Sequence, residues 1–269
     1  MKYYLYNPLA NNGIKPNIDL EKAINVVGLD YKKFFDELKP EDEVVLVGGD
    51  GTISHLIMEL PDYEYKNNVY LLANGTGNDF MNDIEAPLDK EVLLNEYLKN
   101  LPTVRVNGIT RKFINNMGFG IDGYCCEEAD KIKAVTPNKK IDYTAIAIKG
   151  LLFKFKPRHV KLTIDGKTYE YDNAWLAPTM KGRFYGGGMM VAPGQDRKTD
   201  KLTVVVYACK SKLKSLIAFP SIFEGKHVEK KDMVHVFTGN KVHVEYDSPC
   251  AAQIDGDTVL NVLEYDAEL

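Results

Sequence analysis

The sequence predicts an α/β domain followed by a mainly antiparallel β domain, and three observations carry that prediction. Short apolar runs alternate with helix-like segments through the first hundred residues, and after about residue 101 the pattern changes to period-2 alternation with turn punctuation. At 269 residues the chain is also longer than one domain of ordinary size needs. Strand–helix alternation at this spacing marks an open, mostly parallel sheet, and such sheets bind ligands at the carboxyl ends of their strands.

In order, the runs at 3–6, 44–47 and 69–73 read as buried strands, and the segments at 20–27, 31–38, 52–60 and 90–98 as the helical intervals. In the second half, HVKLTIDGKTYEY (159–171), KLTVVVYA (201–208) and DMVHVFTGNKVHVEY (232–246) alternate with period 2. Asp165-Gly166 and Gly239-Asn240 are hairpin-type pairs between alternating runs. These readings set an α/β domain at 1–105 and a β-rich domain at 106–269, sharing a cleft.

Composition narrows the function. A net charge of −4 argues against nucleic acid, which calls for a basic field. The longest apolar segment, 143–155, is interrupted by Lys149 and Lys154 and falls short of the ~20 residues that span a bilayer. The start MKYYLYNPLA has no apolar signal core, so a cytoplasmic protein is expected. Cys125, Cys126, Cys209 and Cys250 lack zinc-site spacing and read as reduced and structural. His235 and His243 sit in alternating strand patterns and suggest no motif.

The most telling stretches are VVLVGGDGT (44–52) and NVYLLANGTGNDF (68–80), where glycines begin as the apolar run stops. Glycine lets a backbone approach a phosphate closely, and the helix that follows offers N–H groups and a positive dipole end. Two such turns on neighbouring strands suit one polyphosphate. Neither is GxGxxG or GxxxxGK[ST], which excludes the common dinucleotide and Walker readings. The bland alternative is a pair of tight connections with Asp50 and Asn78 as helix N-caps.

Asn7-Pro8 after the first strand, GGDGT at 48–52 and GTGNDF at 75–80 closely resemble the catalytic domain of the diacylglycerol kinase family, which includes soluble bacterial lipid kinases, sphingosine kinases and ceramide kinases. The resemblance continues through FINNMGFGIDG (113–123), GGGMMVAPGQDRKTDKLTVVV (186–206) and QIDGD (253–257), and so spans essentially the whole chain. It implies a Rossmann-like α/β domain of the NAD kinase and diacylglycerol kinase type, a β-sandwich-like second domain carrying the lipid site, and ATP in the cleft between them. Asn7, Pro8, Gly48, Gly49, Gly51 and Thr52, with Gly75, Thr76, Gly77, Asn78 and Asp79, would form the nucleotide site. Asp50 matches the position that reaches Mg2+ through water. Asp255 matches the family's general base, which takes the proton of the acceptor hydroxyl; alone it reads as a hairpin Asp-Gly. Asp200 matches the anchor of a structural magnesium, with carbonyls of Arg197 and Leu202; alone it reads as a solvated loop acid.

The chain departs from the family pattern in several places. Ala10 and Asn11 stand where a small hydroxyl residue and glycine are usual, Ser54 and His55 replace an Asn-Glu pair, and the 8–48 segment is short. Lys201 follows Asp200 where glycine is common, and Asp257 replaces Glu. On the acceptor side, YTAIAIKGLLFKFKPR (143–158) reads as a core helix with a solvated basic end, the alternative being a segment lying on an anionic membrane.

The reading that results is an ATP- and magnesium-dependent lipid kinase acting on diacylglycerol or a relative, cytoplasmic and peripheral to the inner face of the membrane, with transient membrane contact and room for a homodimer. The rivals are an NAD kinase-like enzyme, which shares GGDGT but not GTGNDF, and a nucleotide-binding regulator that has lost turnover.

Overall fold

The computed structural model describes residues 1–8, 10, 15–136 and 141–269. The chain divides into two compact units, Met1–Leu101 and Pro102–Leu269.

The first unit contains β1 (Lys2–Tyr6), β2 (Ile24–Asn25), α1 (Tyr31–Asp36), β3 (Glu43–Gly48), α2 (Asp50–Glu59), β4 (Asn68–Ala73), α3 (Asp79–Asp83) and β5 (Val92–Leu93). Its sheet runs β2-β1-β3-β4-β5, parallel except for β5. The central strand β3 buries Val44, Val45, Leu46 and Val47 completely, as a strand covered on both faces must. Segments 20–27 and 90–98, expected as helical intervals, instead supply the edge strands β2 and β5. For β5 the reason is visible in its partners. Leu94 N–H donates to the Val69 carbonyl, and Glu91 accepts from Lys2 Nζ at 2.5 Å, so sheet pairing outcompetes helix propensity.

The register of this sheet brings the strand ends together. Tyr6 pairs with Val47 and Gly48 with Ala73. Asn7, Gly48 and Asn74 therefore leave the sheet side by side, and Asn74 N–H donates to Gly48 O at 2.7 Å.

The second unit begins with β6 (Thr103–Val106), β7 (Ile109–Lys112), β8 (Asn116–Phe119), α4 (Ile121–Val135) and α5 (Tyr143–Lys149), which continues into a π-helical turn (Gly150–Lys154). Next come β9 (Arg158–Ile164), β10 (Lys167–Leu176), β11 (Thr179–Met180), β12 (Phe184–Tyr185), β13 (Met189–Met190) and β14 (Leu202–Ala208). The chain ends with α6 (Lys212–Ala218), β15 (Val234–Gly239), β16 (Lys241–Ile254) and β17 (Asp257–Glu268). The main sheet is antiparallel throughout. The long β16 pairs with β9 over Val242 to Tyr246 and with β8 over Ala252 to Ile254. The path β8-β11-β14-β10-β9 thus returns to β16 and closes a ring, from which β17, β6 and β7 extend on one side and β15 pairs with β14 on the other.

One core fills that ring, with Phe119 stacked on Tyr246 at 4.1 Å. A second core lies under α4, α5 and α6 around Trp175, whose indole N–H donates to Cys209 O at 2.8 Å. Helix α4 seats on β16 because residue 123 is glycine: a Cβ there would stand 2.1 Å from Ala251 O. Asp165-Gly166 is the hairpin between β9 and β10, with φ of 48° and 82°. Gly239-Asn240 is not a hairpin. Strand β15 pairs with β14 and β16 with β9, and the Asp165 carboxylate accepts from the N–H groups of Asn240 and Lys241 to hold the crossover.

Candidate active site

Two constellations gather the residues that the sequence singles out, one in each unit. In the first, the two glycine turns touch main chain to main chain. A Cβ on Gly49 would stand 2.7 Å from Gly75 Cα, and one on Gly75 would stand 2.6 Å from Gly49 Cα. Asp50 clasps them: its two carboxylate oxygens accept the N–H groups of Asp79 at 2.9 Å and Phe80 at 2.7 Å. Asp50 opens α2 and simultaneously caps α3, so one acid fixes both turns.

The remaining members of this cluster divide into walls and lining. Thr52 is buried, and a Cβ on Gly48 would overlap its Oγ1 at 2.1 Å; its hydroxyl oxygen accepts from Asn7 Nδ2 at 3.5 Å. Thr52 therefore packs the turn. Gly51 and Thr76 are exposed, and nothing lies within 4 Å of a Cβ on Gly51. Asn78 takes a left-handed conformation, φ 51°, and donates to Gly75 O, while its Oδ1 is buried without a hydrogen-bond partner among the described residues. Gly77 O accepts from Asn82 Nδ2. Asp79 is buried at the start of α3, and Pro8 and Ala10 are half-buried. Asn11 lies outside the described residues. His55 is exposed on α2 against Tyr31, and Ser54 is buried.

In the second unit, Asp255 and Gly256 form the two-residue turn between β16 and β17, both at positive φ, 48° and 95°. The turn aims the Asp255 carboxylate at the lead-in to β8, where it accepts from the N–H groups of Ile114 at 2.8 Å, Asn115 at 2.8 Å and Asn116 at 3.0 Å. A carboxylate has about four lone-pair sites, so one remains for a further donor. Burial raises the Asp255 pKa above its ordinary value, and the three N–H donors oppose that rise. Arg197 braces the same lead-in, donating to Ile114 O at 3.0 Å and Asn115 Oδ1 at 2.9 Å. Asp257 pairs with Arg111 at 2.6 Å, and Gln253 Oε1 accepts from Gly256 N–H.

The loop at 195–202, expected to hold a structural magnesium through Asp200, Arg197 and Leu202, is tied by the chain's own donors. The buried Gln195 amide donates to the carbonyls of Lys181, Asp196 and Lys201. The buried Lys181 amine donates to Thr199 O at 3.0 Å; burial, with the Arg197 charge nearby, lowers its pKa below the ordinary lysine value, and Asp200 and Asp196 oppose that fall. Asp200 itself is exposed, and Leu202 is buried in β14. The loop is thus tied at Lys181, Asp196, Thr199 and Lys201 by an amine and an amide, and the Arg197 and Leu202 carbonyls are not among these acceptors. Sequence reasoning missed Lys181 and Gln195 because a lone lysine and glutamine carry no motif. The Ile114–Asn116 donors are equally silent, being main chain.

An open parallel sheet with two glycine turns at its strand ends, followed by an antiparallel β unit with a buttressed acid turn, is the architecture of a diacylglycerol kinase or NAD kinase-type protein. The family model for the diacylglycerol kinase catalytic domain matches residues 19–106, and that for the YegS C-terminal NAD kinase beta sandwich-like domain matches 115–263. The chain belongs to the diacylglycerol kinase family. It is 27% identical over 215 residues to a diacylglycerol kinase of Mycobacterium tuberculosis, covering 77% of this chain and 68% of that one. A diacylglycerol kinase of Bacillus subtilis is 22% identical over 229 residues, covering 82% and 72%. A diacylglycerol kinase crystal structure from Bacillus anthracis shares the fold, with a TM-score of 0.65 at 21% identity over 99% of this chain and 93% of the other. Among the described residues no helix is long and apolar enough to cross a membrane.

Proposed function

We propose that this chain is an ATP-dependent lipid kinase that transfers the γ-phosphoryl group to a hydroxyl of diacylglycerol or a close relative. The observation that carries the proposal is the Asp50 clasp, which fixes two glycine turns at adjacent strand ends in the unit matched by the kinase catalytic-domain model. The open backbone at Gly51 and the N–H groups beginning α2 suit nucleotide phosphates. The orphaned Asn78 Oδ1 suits a hydroxyl or amino donor of the nucleotide. Magnesium near Asp50, reached through water, would supply charge neutralisation for the phosphates.

Asp255 is the base. Its one unfilled acceptor site takes the lipid hydroxyl proton as that oxygen bonds to the γ-phosphorus and the bond to ADP breaks. The 1–105 segment binds nucleotide and the 106–269 segment carries the base and the lipid site. The protein works at the inner face of the cytoplasmic membrane.

The test is transfer of γ-labelled phosphate from ATP, with magnesium, to mixed micelles of diacylglycerol, sphingosine or ceramide, beside free NAD. Label is expected in one lipid, with kcat/KM rising with pH as Asp255 ionises. Asp255→Asn should lose both the label and that acid limb, with folding checked by circular dichroism because three N–H groups lose a charged acceptor. Label entering NAD alone, or ATP binding with no transfer to any acceptor, would overturn the proposal.

A further inference from the structure

Helix α6 sets Leu216 against the core but turns two of its three large apolar side chains outward. Its small residues Ser215 and Ala218 are buried and Ala218 joins the core, while Leu213 and Ile217 are 66% and 71% exposed. These two are four residues apart and so share one face of the helix. A helix on a soluble protein ordinarily turns its large apolar side chains inward, so this order needs an outside partner. The π-helical turn beside it repeats the pattern: Leu151 and Phe155 are buried, whereas Phe153 between them is 74% exposed. The two elements are joined, since Lys212 Nζ donates to Leu152 O at 2.9 Å.

Charge identifies the partner. Segments 143–158 and 201–223 contain no aspartate or glutamate, in a chain whose net charge is −4. Exposed lysines flank the apolar side chains on both elements: Lys149, Lys154 and Lys156 on the first, Lys212 and Lys214 on the second. Solvation alone gives no reason for such segregation. Apolar side chains ringed by ammonium groups match a bilayer interface, where the side chains enter the acyl boundary and the lysines meet anionic headgroups. The sequence had favoured a buried core helix for 143–158 and had given 212–218 no role.

We propose that Phe153, Leu213 and Ile217, with their lysine rim, form a docking face for an anionic membrane surface. The proposal rests on the lipid kinase reading, because a kinase with a bilayer-resident acceptor must meet that surface. It supplies a partner for exposed apolar area that the phosphotransfer residues do not use.

The test is sedimentation of the full chain with vesicles of phosphatidylcholine and phosphatidylglycerol, compared with phosphatidylcholine alone, in the absence of ATP and diacylglycerol. Binding to the anionic vesicles is expected at least about ten-fold tighter, falling as salt is raised. Phe153→Ser and the double variant Leu213→Ser/Ile217→Ser should each weaken it by about ten-fold or more. Transfer to a short-chain, water-dispersed diacylglycerol should stay at the wild-type rate in both. Equal binding to the two vesicle types, or variants that bind as wild type does, would overturn the docking face. Because these vesicles carry no kinase substrate, their result stands apart from that of the phosphotransfer assay.

Discussion

Replacing Gly49 with alanine isolates the contact between the two glycine turns. Gly49 has φ −118° and ψ −161°, extended backbone that alanine adopts without strain, so any cost is steric. The new Cβ would lie 2.7 Å from Gly75 Cα, a main-chain atom that cannot rotate away. Carbon atoms pack at about 3.5–4.0 Å, so the turns must part by about 1 Å. Overpacking of this kind costs about 1–3 kcal/mol, and a shift of about 1 Å in a positioned phosphate costs about 100-fold in rate. Urea unfolding followed by circular dichroism reads the first effect; calorimetric ATP binding and the phosphotransfer rate read the second. Gly51→Ala is the stability control. It meets no atom within 4 Å and lies in α2, where alanine is favoured over glycine by up to about 1 kcal/mol. Its unfolding midpoint should be unchanged or higher. If Gly49→Ala unfolds, binds ATP and turns over as wild type does, the turns do not depend on their contact, and the reasoning fails.

Other perturbations give equally definite expectations. Asp50→Asn keeps one acceptor oxygen and leaves the Asp79 or Phe80 N–H facing an amide donor, for about 1–3 kcal/mol. Hydrogen exchange at those two amides should quicken, and unchanged protection would count against the clasp. Lys181→Met strands the Thr199 carbonyl and should lower the melting temperature, whereas wild type should melt alike in EDTA and in magnesium. A wild-type melting temperature that drops in EDTA, in a manner abolished by Asp200→Asn, would show instead that a metal at Asp200 stabilises this loop. Burial pushes Asp122 up to about 6, so its folded state holds a proton that the unfolded chain releases near 3.8. Stability from this group is greatest below about pH 4 and falls by ~3 kcal/mol as pH rises through 6. Asp122→Asn should flatten that slope in denaturation curves taken from pH 4 to 7, and an unaltered slope would refute the assignment.

The sequence by itself determined the class of fold and the location of the two glycine turns. Both rest on local grammar: β3 is apolar because it is covered on both faces, and the glycines follow it because the chain must turn closely there. Which side chains hold those turns together was not legible. Thr52 and Asp50 sit among the glycines in the chain, yet one packs under Gly48 and the other caps a helix that begins 29 residues later. Asp255 shows the same division. Its Asp-Gly pair announces a turn, but its partners are main-chain N–H groups about 140 residues away, and main chain carries no residue signature. The edge strands β2 and β5 and the crossover at Gly239-Asn240 escaped for a related reason: pairing across a sheet is decided by whichever neighbour the fold delivers, and local propensity is the smaller energy. The outward face of α6 also belongs to tertiary structure alone. Seven residues of mixed leucine and lysine do not say which side meets the core until Ala218 and Ser215 are seen to occupy it.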